Sequence, residues 1–180
     1  MDQLFAPWRI EWVEREPPDS GEGCVLCALP GRDDAREARV VAASERAYVV
    51  LNNYPYNPGH VMVVPRVHEG DYAALGEAVL VDHARLKQRT FAALREALGP
   101  DGFNAGLNLG AGAGGSIDDH LHTHVVPRWT GDTNFMAVVG DTKVIVEALD
   151  DTYARLSEAF AGQAGASAGA EGEPVSLALG

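Results

Sequence analysis

The sequence predicts an α+β fold in which an antiparallel sheet is flanked by two helices. Three observations point there. Short β-branched and apolar runs crowd the middle of the chain. Two longer stretches have helical spacing. Glycine- and proline-rich turns separate the pieces. The 180 residues suit one domain, and 46% apolar residues with 22% charged residues suffice to bury a core.

Residues 1–16 carry Phe5, Trp8 and Trp12 and read as a packed N-terminal arm. Residues 17–38 hold Pro17, Pro18, Pro30 and several glycines around Cys24 and Cys27, and read as loop. Strands are expected over Arg39 to Ala43 and Ala47 to Asn52. Asn53-Tyr-Pro-Tyr-Asn-Pro-Gly59 is turn chemistry, since two prolines preset φ and a glycine permits unusual dihedrals. His60 to Pro65 reads as a short strand. Leu75, Val79, Leu86, Thr90 and Leu94 recur at roughly helical spacing, so a helix is expected from Tyr72 to Leu98, stopped by Gly99-Pro100. Phe103 to Leu109 and Leu121 to Pro127 read as strands around a loop with four glycines between Gly110 and Gly115. A second helix is expected from Asp141 to Phe160, with Tyr153, Leu156 and Phe160 on one side. The single domain is thus placed at 1–160. Residues 161–180, rich in Ala, Gly, Ser and Glu, are expected to form a disordered tail.

Fourteen Lys and Arg against 26 Asp and Glu give a net charge of −12. That field disfavours nucleic acid and anionic membrane as partners, though a local pocket can still take a small acidic ligand. No run of about 18 apolar residues predicts a membrane span, and Met1 to Trp12 lacks the apolar region of a secretory signal. Two cysteines cannot build a disulfide framework. Their Cys24-Val-Leu-Cys27 spacing reads as metal or redox chemistry in a reducing compartment, so a cytoplasmic location is expected.

The informative stretch is Ser116-Ile-Asp-Asp-His120-Leu-His122-Thr-His124-Val-Val-Pro-Arg-Trp129. Three of the six histidines alternate in a β-rich run. On a strand, alternate side chains share one face about 6–7 Å apart, so three imidazoles are aimed at one surface. The bland alternative is an edge strand or an incidental metal site. Imidazole titrates near working pH and can serve as nucleophile, acid or phosphate ligand. Asp118 and Asp119 read as a solvated bend, because added negative charge would repel phosphate. His83 lies near the apolar stripe of the long helix and reads as structural.

His120-Leu-His122-Thr-His124-Val-Val resembles the motif of the histidine triad (HIT) family of nucleotide hydrolases and transferases. Pro58-Gly59-His60-Val-Met-Val-Val-Pro65, Gly112-Ala-Gly-Gly115 before Ser116, and Pro127-Arg-Trp-Thr-Gly-Asp132 extend the resemblance over about Leu4 to Phe160. Pro7-Trp-Arg9 and Leu51-Asn-Asn-Tyr-Pro-Tyr-Asn-Pro-Gly-His60 resemble the bacterial diadenosine tetraphosphate phosphorylase-like branch. Many family hydrolases carry Gln where this chain has Ser116. The shorter side chain leaves room for a phosphate acceptor, or for water, while its hydroxyl can still donate.

The resemblance implies a HIT-type fold and a reaction. His122 would be the nucleophile and form a nucleotidyl-histidine from a dinucleoside polyphosphate, resolved by inorganic phosphate or water. The carbonyl of His120 would fix the tautomer of His122, and His124 would contact a non-bridging oxygen. Gly114, Gly115 and Ser116 would cradle phosphate through main-chain N–H groups. Asn52 would hold ribose or simply start a turn. Asn108 is a further substrate contact, and His60 touches substrate or backs the site. The family also implies a structural zinc site of Cys24, Cys27, His68 and His120, against the alternative of two reduced thiols beside hydrogen-bonded histidines. A homodimer is implied, and a need for Mg²⁺ is left open. Two rivals stand beside this reading: hydrolysis of nucleoside phosphoramidates or adenylyl-sulfate, and a non-catalytic nucleotide-binding regulatory module.

Overall fold

A computed structural model describes residues 23–115, 117–132, 147–170 and 172–179. The expected N-terminal arm, Ser116 and the first turns of the expected second helix (141–146) lie outside the described residues.

The chain begins with a short helix α1 (Val25–Ala28) and a 3₁₀ turn at Leu29–Gly31. Strands β1 (Val40–Ala43), β2 (Ala47–Leu51) and β3 (Val61–Pro65) follow. Helix α2 (Glu77–Leu98) leads to β4 (Gly102–Leu107) and β5 (Thr123–Arg128). Helix α3 (Leu149–Ala161), β6 (Ala166–Ser167) and β7 (Val175–Leu177) close the described chain. The strands form one sheet in the order β4-β5-β3-β2-β1-β7-β6.

Alternation along the strands decides which side chains meet the helices. Val49, Leu51, Val61, Val63 and Val125 face α2 and α3 and pack with Leu86, Leu94, Leu156 and Phe160. Burying a side chain such as Leu156 or Phe160 contributes roughly 1.5–3 kcal/mol. The intervening residues Tyr48, Val50 and Val64 face the opposite side, where Leu26, Ala35 and Ala38 cover part of the sheet. The register pairs Met62 with His124, so the even-numbered positions of β3 and β5 share this face, opposite α2 and α3.

Helix α2 ends where Gly99 turns left-handed at φ 58° and returns its N–H to the Arg95 carbonyl. Its expected start divides in two. Tyr72–Ala74 is a separate 3₁₀ turn capped by Asp71, and the α-helix begins only after Gly76. Gly59 is required twice over. Its φ is 74°, and a Cβ there would lie 2.3 Å from a Leu98 methyl. At the start of β1, Arg39 is left-handed (φ 58°), so the expected strand begins one residue later, followed by a bulge between Val40 and Ala42.

The expected disordered tail is corrected by the structure. The strand β7 lies parallel to β1, pairing Ala42 with Val175, and Val175 and Leu177 are buried. Val-Ser-Leu is an alternating strand only three residues long, hidden in a composition that suggests disorder. Docking on the preformed edge of β1 gives it a ladder and a core to bury against. The sheet is therefore mixed rather than wholly antiparallel.

Candidate active site and metal centre

The expected strand over Leu121 to Pro127 begins instead at Thr123, so only His124 of the three alternating histidines lies in the ladder. His120 and His122 sit on its approach and are positioned by other contacts. The Leu121 N–H donates to the Glu69 carbonyl at 2.7 Å. His120 Nε2 donates to the Pro65 carbonyl at 2.8 Å. Gly70 lets the two segments touch, since a Cβ there would fall 2.5 Å from the Asp118 carbonyl oxygen.

His122 Nδ1 lies 2.9 Å from the carbonyl oxygen of His120. A carbonyl can only accept, so Nδ1 carries the proton and Nε2 keeps its lone pair. The ring of His124 lies 5.0 Å from that of His122 and 5.1 Å from that of His60. His60 Nδ1 accepts from the Tyr56 N–H at 3.1 Å. Its proton is therefore on Nε2, which donates to His124 Nδ1 at 3.0 Å. A neutral His124 then holds its own proton on Nε2. The arrangement leaves one ring nitrogen able to attack and, beside it, one able to donate.

Asn52 serves the turn and also borders the site. Its Oδ1 accepts from the Tyr54 N–H at 2.8 Å, and its Nδ2 lies 3.5 Å from His60 Nε2. Gly106 pairs with His124, so Asn108, just past the end of β4, reaches the level of His122. Gly115 packs on Asn108, where an added Cβ would approach the Asn108 Cβ to 3.1 Å. Gly110 and Gly114 have positive φ (73° and 75°) on either side of the 3₁₀ turn Ala111–Ala113. Ser116, expected in the same loop, lies outside the described residues. Sequence reasoning alone passes over Tyr56, because the group that sets the His60 tautomer is a main-chain N–H with no side-chain signature. His83 is buried on the opposite face of the sheet, with Nε2 3.1 Å from the Val63 carbonyl and 3.2 Å from Thr123 Oγ1. A surface hollow of about 400 Å³ lined by Arg46, Glu77, Asp82 and Arg85, among others, contains none of the candidate residues.

Cys24, Cys27, His68 and His120 meet at a second centre, with their ligand atoms all within 4.8 Å of one another. His120 Nδ1 lies 3.3 Å from Cys24 Sγ and 3.4 Å from Cys27 Sγ, and His68 Nδ1 lies 3.3 Å from Cys27 Sγ. With the His120 proton committed to Pro65, its Nδ1 lone pair faces the thiols. Burial holds this imidazole below its ordinary pKa, which favours the neutral, metal-binding form. Burial first, then the nearby Cys24, push the Cys27 thiol up. Two thiols this close ionise together readily only around a cation. Asp119 places a carboxylate oxygen 3.6 Å from His68 Nε2, on the far side of that ring from Cys27. Two sulfurs and two imidazole nitrogens suit a tetrahedral transition-metal ion and not an oxygen-seeking Mg²⁺ or Ca²⁺. These residues could hold such a metal.

Comparison with known proteins agrees with this geometry. The family model for the HIT domain matches residues 34–131. AP-4-A phosphorylase of Mycobacterium tuberculosis is 39% identical over 169 residues, covering 91% of this chain and 86% of that protein. Bis(5'-adenosyl)-triphosphatase of Dictyostelium discoideum is 27% identical over 52% of this chain and 62% of that protein. A crystal structure of a Zn-bound histidine triad family protein from Mycobacterium smegmatis superposes with a TM-score of 0.63 at 27% identity, covering 77% of this chain and 94% of that one. The matched domain takes in the whole His120–His124 run and the strands that position it, and the chain belongs to the HIT domain family.

Proposed function

We propose that this chain is an enzyme that cleaves dinucleoside polyphosphates, such as diadenosine tetraphosphate, by nucleotidyl transfer through His122. The observation that carries the reading is the His122 tautomer: Nδ1–H on the His120 carbonyl leaves Nε2 free to attack. The names of two relatives, AP-4-A phosphorylase and bis(5'-adenosyl)-triphosphatase, support the substrate class.

The His122 Nε2 lone pair attacks the α-phosphorus, and the bond from phosphorus to the bridging oxygen breaks with its electrons on the departing polyphosphate. The positive charge gained by the ring is stabilised at Nδ1–H by the His120 carbonyl. The Nε2–H of His124 donates to a phosphate oxygen as charge shifts. Inorganic phosphate or water then attacks the nucleotidyl-histidine, releases a nucleoside diphosphate or monophosphate, and returns the lone pair to Nε2. His122 is only 5% exposed, so little water competes with these interactions. Main-chain N–H groups of Gly115 and Ser116 cradle phosphate, while Gly114 turns the loop at positive φ with its own N–H toward the Ala111 carbonyl. Asn52 takes the ribose hydroxyls, and Asn108 borders the phosphates opposite His122. His60 acts through His124.

In this reading Cys24, Cys27, His68 and His120 hold zinc. The ion is structural, since four protein ligands leave no open position. The chain works in the cytoplasm as a homodimer that joins sheets edge to edge. The exposed middle of β4 (Asn104, Ala105, Gly106) supports that edge.

The test incubates the full chain with diadenosine tetraphosphate, with and without inorganic phosphate and with and without Mg²⁺. ADP that appears only with phosphate identifies phosphorolysis, whereas AMP without phosphate identifies hydrolysis. Adenylylated His122 is trapped and located by mass spectrometry. Undiminished turnover by a His122→Ala variant overturns the mechanism.

A further inference from the structure

We infer that Cys24 and Cys27 are a reversible oxidation site whose disulfide form slows transfer at His122 by releasing His120. The slowing rests on the proposed function, whereas the oxidation site stands on geometry alone. Cys27 is exposed and Cys24 half-buried, both are free thiols, and their sulfurs lie within 4.8 Å of each other. The Cys27 N–H already bonds the Cys24 carbonyl at 3.1 Å, so the Cys-x-x-Cys turn is formed before any oxidation. Closing a disulfide there asks for side-chain rotation more than for a new backbone path.

The consequence reaches the nucleophile because His120 belongs to both centres. Its ring faces both sulfurs, and its main-chain oxygen holds His122 Nδ1 at 2.9 Å. Neither His120 nor His122 is in a strand ladder, so the Leu121 N–H bond to Glu69 and the side-chain contacts of His120 share the placement that a ladder would otherwise supply. With the metal bound, two thiolates and two imidazoles tie three segments together: the α1 loop, residues 65–70 and the approach to β5. In the reduced protein without metal the thiols still reach His120 Nδ1. A disulfide has neither an S–H to donate nor a thiolate to bind metal, so on oxidation His120 keeps its bond to Pro65 but loses the tie to α1.

The chemistry balances with a small-molecule disulfide as oxidant. One cysteine sulfur attacks the disulfide and expels one small thiol. The other cysteine sulfur then attacks the mixed disulfide and expels the second. Two electrons leave the protein, the metal ion departs, and the expelled thiolates take up protons from solvent. A reducing dithiol with added metal reverses the step.

The experiment uses the full chain loaded with zinc and treated with oxidised glutathione. Expected are a loss of two hydrogen atoms by mass after the metal is removed, one zinc released per Cys24–Cys27 disulfide formed, and a change in the ¹⁵N chemical shifts that report the His122 tautomer. The kcat for diadenosine tetraphosphate falls about tenfold, the scale seen when an anchoring contact is lost, while KM changes little. Dithiol plus zinc restores all four readouts. A Cys27→Ser variant starts from the lowered kcat and does not respond to the oxidant. Failure to form the disulfide overturns the inference. So does disulfide formation with unchanged His122 shifts. If the reduced, zinc-loaded protein has no activity on the dinucleotide, the proposed function fails, while mass, zinc release and ¹⁵N shifts still decide the coupling.

Discussion

Gly59 precedes His60, and replacing it with alanine tests how tightly the backbone behind the histidine row is specified. Two costs add. An alanine held at φ 74° pays the left-handed penalty, about 1–2 kcal/mol. Its Cβ would also lie 2.3 Å from Leu98 Cδ1, 3.2 Å from Leu94 Cδ2 and 3.3 Å from Pro127 Cγ. The Leu98 methyl can swing aside because that residue is only half-buried, whereas Leu94 is fully buried, so relief costs about 1–3 kcal/mol. The sum is roughly 3 kcal/mol, or roughly 6–12 °C in Tm for a chain of this size. Gly99 supplies the control. It is left-handed too (φ 58°), but nothing lies within 4 Å of its hypothetical Cβ. Gly99→Ala should therefore cost only the backbone part, about 1–2 kcal/mol. Urea unfolding of both variants, with the m-value checked for constancy, measures the difference. Equal losses for Gly59→Ala and Gly99→Ala would refute the steric argument.

Three other outcomes are expected. Burial keeps the His83 imidazole below its ordinary pKa, so as pH falls below about 6.5 the unfolded chain gains a proton that the folded chain refuses. This group alone costs stability on acidification, at most about 1.4 kcal/mol per pH unit, and the stability gap between wild type and His83→Gln should shrink from pH 7.5 to pH 5; a pH-independent gap contradicts it. Asp132 accepts from Arg128 at 2.6 and 2.7 Å, from Asn57 at 2.7 Å and from the Trp129 N–H at 3.1 Å, so Asp132→Asn should set a donor against donors and destabilise by about 2 kcal/mol in urea titration. Leu177→Ala should cost about 2–3 kcal/mol in the same titration, because Leu177 is buried; no effect would mean that the C-terminal strand is not docked.

Much of the sheet could be read in advance because its signals are local. Val61 to Pro65 and Ala47 to Leu51 are β-branched or apolar runs bounded by turn residues, and they became strands within a residue of expectation. The alternation of His120, His122 and His124 marks the candidate site, but the ladder starts only at Thr123. What places the first two histidines is a set of contacts with residues 65–70, more than fifty positions away, which no local period encodes. The second centre shows the same limit. Cys24 and Cys27 announce themselves by spacing, whereas His68 and His120 join them only when the fold folds two distant segments together. The β7 strand was illegible for a thermodynamic reason. Three residues cannot order themselves, and their stability comes from the β1 edge, the short β6 beside them and the core that Val175 and Leu177 enter.

That completion bears on how copies of the chain can add to one another. A flat sheet with two long open sides can grow by stacking copies side by side, and each addition presents a fresh side for the next. Here the β1 side is occupied by the chain's own C-terminal segment and ends in the two-residue β6, too short to template a neighbour. The six-residue β4 is left as the long side still open among the described residues. Growth through one side would stop at two copies, so an edge capped in this way by the C-terminal segment would work against fibres.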